Sequence, residues 1–121
     1  MSASVLRTET YLWLAQRLSA LILTICITVH IATMIIAVQG GLSSEEIIAR
    51  IGGSKIWLCF YLVFVSSVAV HAPIGLKSIM REMTQIPMKR IDFLSILFSL
   101  IIGVLGIRAA FGLYGLGGGV I

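Results

Sequence analysis

The sequence predicts an all-α membrane protein with three transmembrane helices that pack with a partner subunit into a larger helix bundle. Three observations predict it: the composition, three long runs almost free of charge, and an uneven placement of basic residues between them. Of 121 residues, 59% are hydrophobic and only 12% are charged, and the mean hydropathy is +1.08. An average soluble domain carries about 25% charge. A chain this short exposes much of itself on folding, so a cytosolic enzyme and a disulfide-rich secreted module are excluded. The chain is also too apolar to be disordered. Nine Lys and Arg face five Asp and Glu, a net charge of +4. That excess is small and scattered, so no nucleic-acid partner is expected. One domain over residues 1–121 is expected at this length.

The first apolar run, Leu18 to Val38, carries no charge, nor does the second, Ile56 to Leu76. The third, Phe93 to about Gly115, is interrupted only by Arg108. Each reaches the roughly 20 residues that cross a bilayer, and the helices are predicted over about 11–38, 56–80 and 93–115. No charged stretch followed by a short apolar core and cleavage site precedes the first run, so no removable signal peptide is expected. Gln39-Gly40-Gly41 ends the first helix. Ser43-Ser44-Glu45-Glu46 caps a short amphipathic segment, Ser43 to Ile51, at the membrane interface. Pro87 marks the second loop.

Orientation follows from Lys and Arg. Arg7 and Arg17 flank the first span, Arg50 and Lys55 lie in the first loop, and Lys77, Arg81, Lys89 and Arg90 lie in the second. By the positive-inside rule the N-terminus and the second loop are cytoplasmic. The first loop and the glycine-rich end (Gly112, Gly115, Gly117, Gly118, Gly119) lie on the far side, as expected in a bacterial inner membrane. Cys26 and Cys59 lie in apolar runs, belong to no CxxC, and read as small buried hydrophobes.

An ionisable side chain inside a span marks a functional site by default. Both histidines, His30 and His71, lie inside spans. On a helix, Phe60, Phe64, Ser67, Gly75 and Ser78 fall within about 40° of His71. An imidazole beside a glycine, with aromatic rings along the same stripe, suits a flat macrocycle such as haem. The competing reading is a histidine hydrogen-bonded across a helix interface. On the first span Ser19, Cys26, His30, Thr33 and Ala37 share a small, polar face directed at protein. Arg17, Thr24 and Thr28 form a second polar line, which suggests a partner subunit, although a threonine hydroxyl also bonds its own preceding turn. His30 is about 18 Å from the cytoplasmic edge and His71 about 8 Å, so the two are not expected to share one iron. Arg108 lies about 22 Å along the third span, where it either snorkels to the interface or holds a haem propionate. Gly103, Gly106 and Gly112 suit close helix approach.

The segment His71-Ala72-Pro73-Ile74-Gly75-Leu76-Lys77-Ser78-Ile79-Met80-Arg81-Glu82 resembles a signature of the membrane-anchor cytochrome b subunits of succinate dehydrogenase and fumarate reductase. In outline that signature is His-x3-Gly-hydrophobic-Arg followed by Asp. Lys77 stands for the Arg and Glu82 for the Asp. The family's second pattern, Ser-x2-His-Arg-x-Ser/Thr, matches at Arg17 and Ser19, with Gln16 in place of its His and Trp13 in place of its leading Ser. Length, three spans and orientation are similar as well.

The resemblance implies haem b between helices, a quinone near the docking face, a flavoprotein subunit, an iron–sulfur subunit and a second membrane-anchor subunit or second copy of this chain. Carried over by position, His71 would be an axial ligand of the haem iron and Lys77 a propionate partner. Arg17, Ser19 and Glu82 would lie at the quinone. Met83 stands where one subunit type has a quinone-contacting Tyr. His30 makes the chain similar to members with two haems, so one or two are expected. Passing electrons between the iron–sulfur subunit and quinone is the expected role. A haem-free anchor or assembly protein, or a transporter subunit, is the alternative.

Overall fold

The computed structural model describes residues 2–118, so Gly119 lies outside the described residues. Four helices follow one another: α1 (Ala3–Gln39), α2 (Ser44–Ile51), α3 (Lys55–Met83) and α4 (Met88–Gly118). Three of them are long and apolar enough to cross a membrane: Ala3–Gln39, Lys55–Met83 and Met88–Leu116. All three overrun the predicted boundaries. α1 starts eight residues early, because residues 3–10 contain no proline or glycine to stop it, and Ser2 Oγ caps it by accepting from the Val5 amide at 3.3 Å.

The first helix ends at the predicted glycine pair, where Gly41 adopts φ +68°, a conformation that favours glycine. Ser43 then caps α2 as predicted. Its Oγ accepts from the Glu46 amide at 3.2 Å and donates to Glu46 Oε1 at 3.2 Å. Gly53, at φ +76°, turns the chain into α3, and its amide donates to the Tyr114 carbonyl at 3.0 Å. This bond ties the α2–α3 turn to the end of α4. Pro87 starts α4, its carbonyl accepting from the Arg90 and Ile91 amides.

α3 lies between α1 and α4 and packs against both, while α2 rests on α4. The buried positions are few and, apart from Leu23 and Ile91, small: Ser19, Leu23 and Cys26 on α1, Ser67 on α3, and Ile91, Ser95 and Ala110 on α4. Small residues let helices approach closely where lipid offers no hydrophobic drive to associate. Gly106 is such a place, since a Cβ there would stand 2.5 Å from Val65 Cγ1. Gly112 is not, because nothing lies within 4 Å of its Cβ position. Large apolar side chains such as Leu18, Leu21, Ile25, Ile36, Phe93, Leu100 and Val104 point outward, the arrangement of a protein in lipid.

The predicted small face of α1 does turn inward: Ser19 and Cys26 are buried, and His30, Thr33 and Ala37 half-buried. Thr24 and Thr28 are exposed, and each donates to the carbonyl four residues before it, at 2.8 and 2.7 Å. Cys59 departs from expectation. It is exposed, whereas Cys26 is buried, and both thiols are free.

Candidate functional site

The two histidines anchor two separate sites along the α1–α3 seam. His71 Nδ1 lies 3.3 Å from Ser19 Oγ. The Ser19 hydroxyl donates its single proton to the Gln16 carbonyl at 3.1 Å. Its oxygen is then available to accept from an Nδ1–H of His71, the tautomer that would leave Nε2 to a ligand. One turn beyond, Gly75 has no side chain, and the Gln16 amide nitrogen lies 3.5 Å from where a Cβ would stand. Ser67, one turn before, is buried and spends its hydroxyl on the Val63 carbonyl at 2.9 Å.

His30 sits eleven residues further along α1 than Ser19, about 16 Å at 1.5 Å per residue. Its Nδ1 is 3.5 Å from the Tyr61 hydroxyl. Tyr61 and Phe64 meet the ring edge-on, with centroids at 5.9 and 5.7 Å. Of the two rings expected to flank His71, Phe64 packs against His30 instead, joined by Tyr61, while Phe60 packs against other aromatic rings. The antiparallel register of α1 and α3 causes this: Ser19 pairs with His71, so His30 falls beside Tyr61 and Phe64. Depth separates the histidines, as expected, and by more than the sequence estimate.

Two clefts open along the seam, one at His30 and one beyond the His71 site, which His71 itself does not line. At the end where α1 begins and α3 finishes, a cleft of about 240 Å³ is lined by Trp13, Gln16, Arg17, Lys77, Ser78 and Arg81, among others. The Arg17 guanidinium lies 5.4 Å above the Trp13 ring, a cation–π distance. Gln16 Oε1 is buried there with no hydrogen-bond partner. Ser19 is not in this wall, because it faces His71. Glu82 is exposed just beyond Arg81 at the end of α3. Lys77 Nζ pairs with Asp92 Oδ1 of α4 at 2.7 Å, yet the lysine side chain stays 30% exposed.

At the opposite end a cavity of about 450 Å³ lies between α1, α2 and α3. His30, Thr33, Arg50, Trp57 and Tyr61 are among its lining residues. Arg108 is not in its wall. It is exposed on α4. Among the described residues, no group of three His, Cys, Asp or Glu side chains gathers to hold a bare metal ion. An isolated imidazole in an apolar seam suits a metal that brings its other donors with it.

Sequence reasoning missed Gln16, Tyr61 and Arg50 as site residues. The Gln16 position was legible in the first-span pattern. The other two depend on which elements meet. The family model of the succinate dehydrogenase/fumarate reductase transmembrane subunit matches residues 2–109. No curated protein and no solved structure matches the chain.

Proposed function

The chain belongs to the succinate dehydrogenase/fumarate reductase transmembrane subunit family, and from that membership we propose that it is a haem b- and quinone-binding anchor. In this reading it passes electrons between an iron–sulfur subunit and membrane quinone. The observation that carries the reading is the Gln16–Ser19–His71 chain of hydrogen bonds, which leaves Nε2 of His71 free to ligate iron. A bound haem supplies a one-electron carrier whose potential its surroundings tune. Gly75 and Ser67 keep the His71 stripe low on either side. Lys77 retains donors for a propionate, since an ammonium has three and Asp92 takes one.

The cleft above Gln16 suits the quinone. Arg17 and Ser78 are donors for its carbonyl oxygens, and positioned donors stabilise charge that develops there on reduction. Gln16 Oε1, buried and unpartnered, is an acceptor for a quinol hydroxyl. Glu82, at the wet end of α3, gives protons a route in from water. This end carries Arg7, Arg17, Lys77, Arg81, Lys89 and Arg90, so it faces the cytoplasm, where a flavoprotein and an iron–sulfur subunit would dock. Arg17→Gln removes a charged donor worth about 1.5–3 kcal/mol. Quinone reduction is expected to fall roughly tenfold to hundredfold, with haem content retained.

His30 is the ligand of a second haem in this reading. Arg50, which lines its cavity, replaces Arg108 as the cation for a propionate at that end. The remaining axial ligands come from a second anchor chain. A pyridine haemochrome assay on the detergent-purified complex tests the proposal. Two haems b per complex are expected. One would leave His30 structural, and none would leave a haem-free anchor or a transporter subunit.

A further inference from the structure

Pro73 stands inside α3, two residues after His71. A proline has no amide hydrogen, so the carbonyl four residues earlier loses its helical donor. That carbonyl belongs to Ala69, two residues before His71. In lipid no water replaces the donor, and another protein group must do so. Ser99 of α4 does: its hydroxyl donates to the Ala69 carbonyl at 2.7 Å. Gly103, one turn further along α4, keeps the approach open, since a Cβ there would touch the Ala69 Cβ at an ordinary 4.0 Å.

The gap in the α3 ladder thus brackets the candidate haem ligand. On one side of the gap the backbone of Ala69 is held from α4. On the other, the His71 ring is held from α1 by Ser19. We infer that Ser99 is a positioning residue for His71, acting through the Ala69 carbonyl that Pro73 leaves without a backbone donor. The inference rests on the reading of His71 as a haem ligand. It adds that α4, which contributes no ligand, sets how that ligand presents itself.

The test is a double-mutant cycle on the whole purified complex: Ser99→Ala, Pro73→Ala, and both together, with Ser99→Thr as the conservative variant. The readouts are the haem count, the low-temperature EPR signal, the midpoint potential, and the rate of haem transfer to an apo-globin acceptor. Ser99→Ala is expected to shift the EPR signal and the potential of one haem. It is also expected to speed that haem's release about tenfold, the worth of one lost hydrogen bond. Ser99→Thr keeps a hydroxyl and should restore the wild-type signals. Pro73→Ala returns an amide to the Ala69 carbonyl, so adding Ser99→Ala to it should change nothing further.

An unaltered haem signal in Ser99→Ala would overturn the inference. So would an effect of the same size in the Pro73→Ala background, because Ser99 would then act through packing alone. A wild-type complex without haem would instead fail the reading of His71 itself, and the wild-type haem count separates these failures.

Discussion

Replacing His71 with alanine is expected to remove one haem from the complex outright. The argument is one of donors and of depth. The His71 ring is held by Ser19 through Nδ1, and in the proposed reading Nε2 is the atom that meets the iron. His30, about 16 Å further along the seam, is too distant to take its place. Ser19 is a hydroxyl that donates to the Gln16 carbonyl, and Lys77, further along α3, is paired with Asp92. No side chain beside the lost imidazole is suited to bind iron in its stead. The measurement is the haemochrome count together with the reduced-minus-oxidised spectrum of the purified variant complex. With two haems in the wild type, the band that remains belongs to the His30 site. An unchanged count in the variant would end the assignment of His71 as a ligand.

Enlarging Gly106 is expected to cause the largest loss of stability in the chain. The Cβ of an alanine there would stand 2.5 Å from Val65 Cγ1, 2.8 Å from Cγ2 and 3.2 Å from Cβ. Valine is β-branched and keeps essentially one rotamer in a helix, so its methyls cannot swing clear. α3 and α4 would have to separate. Overpacking of this kind costs about 1–3 kcal/mol, and Gly106→Leu should exceed Gly106→Ala. Gly112→Ala is the internal control. It meets nothing within 4 Å and gains up to about 1 kcal/mol of helix propensity. Thermal unfolding of the complex, followed by loss of the haem signal, should rank the three variants in that order. Equal midpoints for Gly106→Ala and Gly112→Ala would show that α3 and α4 do not meet at Gly106.

These two sites differ in how legible they were. His71 stood out because an ionisable group in an uncharged run has no cheap structural explanation, and its surroundings matched a known pattern. Gly106 was one of three glycines on the third span with equal claims. Only the contact with Val65 selected it. The sequence reading of the aromatic stripe went the other way. Phe60 and Phe64 share the helical face of His71, but faces do not say what a partner helix brings to them. The register of α1 brought His30 to Phe64 and Tyr61, and Ser19 to His71.

The sequence by itself determined what composition and local chemistry decide. Long uncharged runs must become helices in lipid, because a backbone there can satisfy its hydrogen bonds only within itself. Gly40-Gly41 and Ser43 had to end one helix and begin the next, because φ above zero and a capping hydroxyl are properties of single residues. Only the tertiary structure decided which groups meet across helices. Ser99 and Ala69 lie 30 residues apart and Ser19 and His71 lie 52 apart. Lys77 with Asp92 and Arg50 with His30 likewise come from separate elements. Helical periodicity gives each residue a direction around its own axis. It carries no information on the offset between two axes, and a shift of one turn, about 5.4 Å, would exchange every one of these partners.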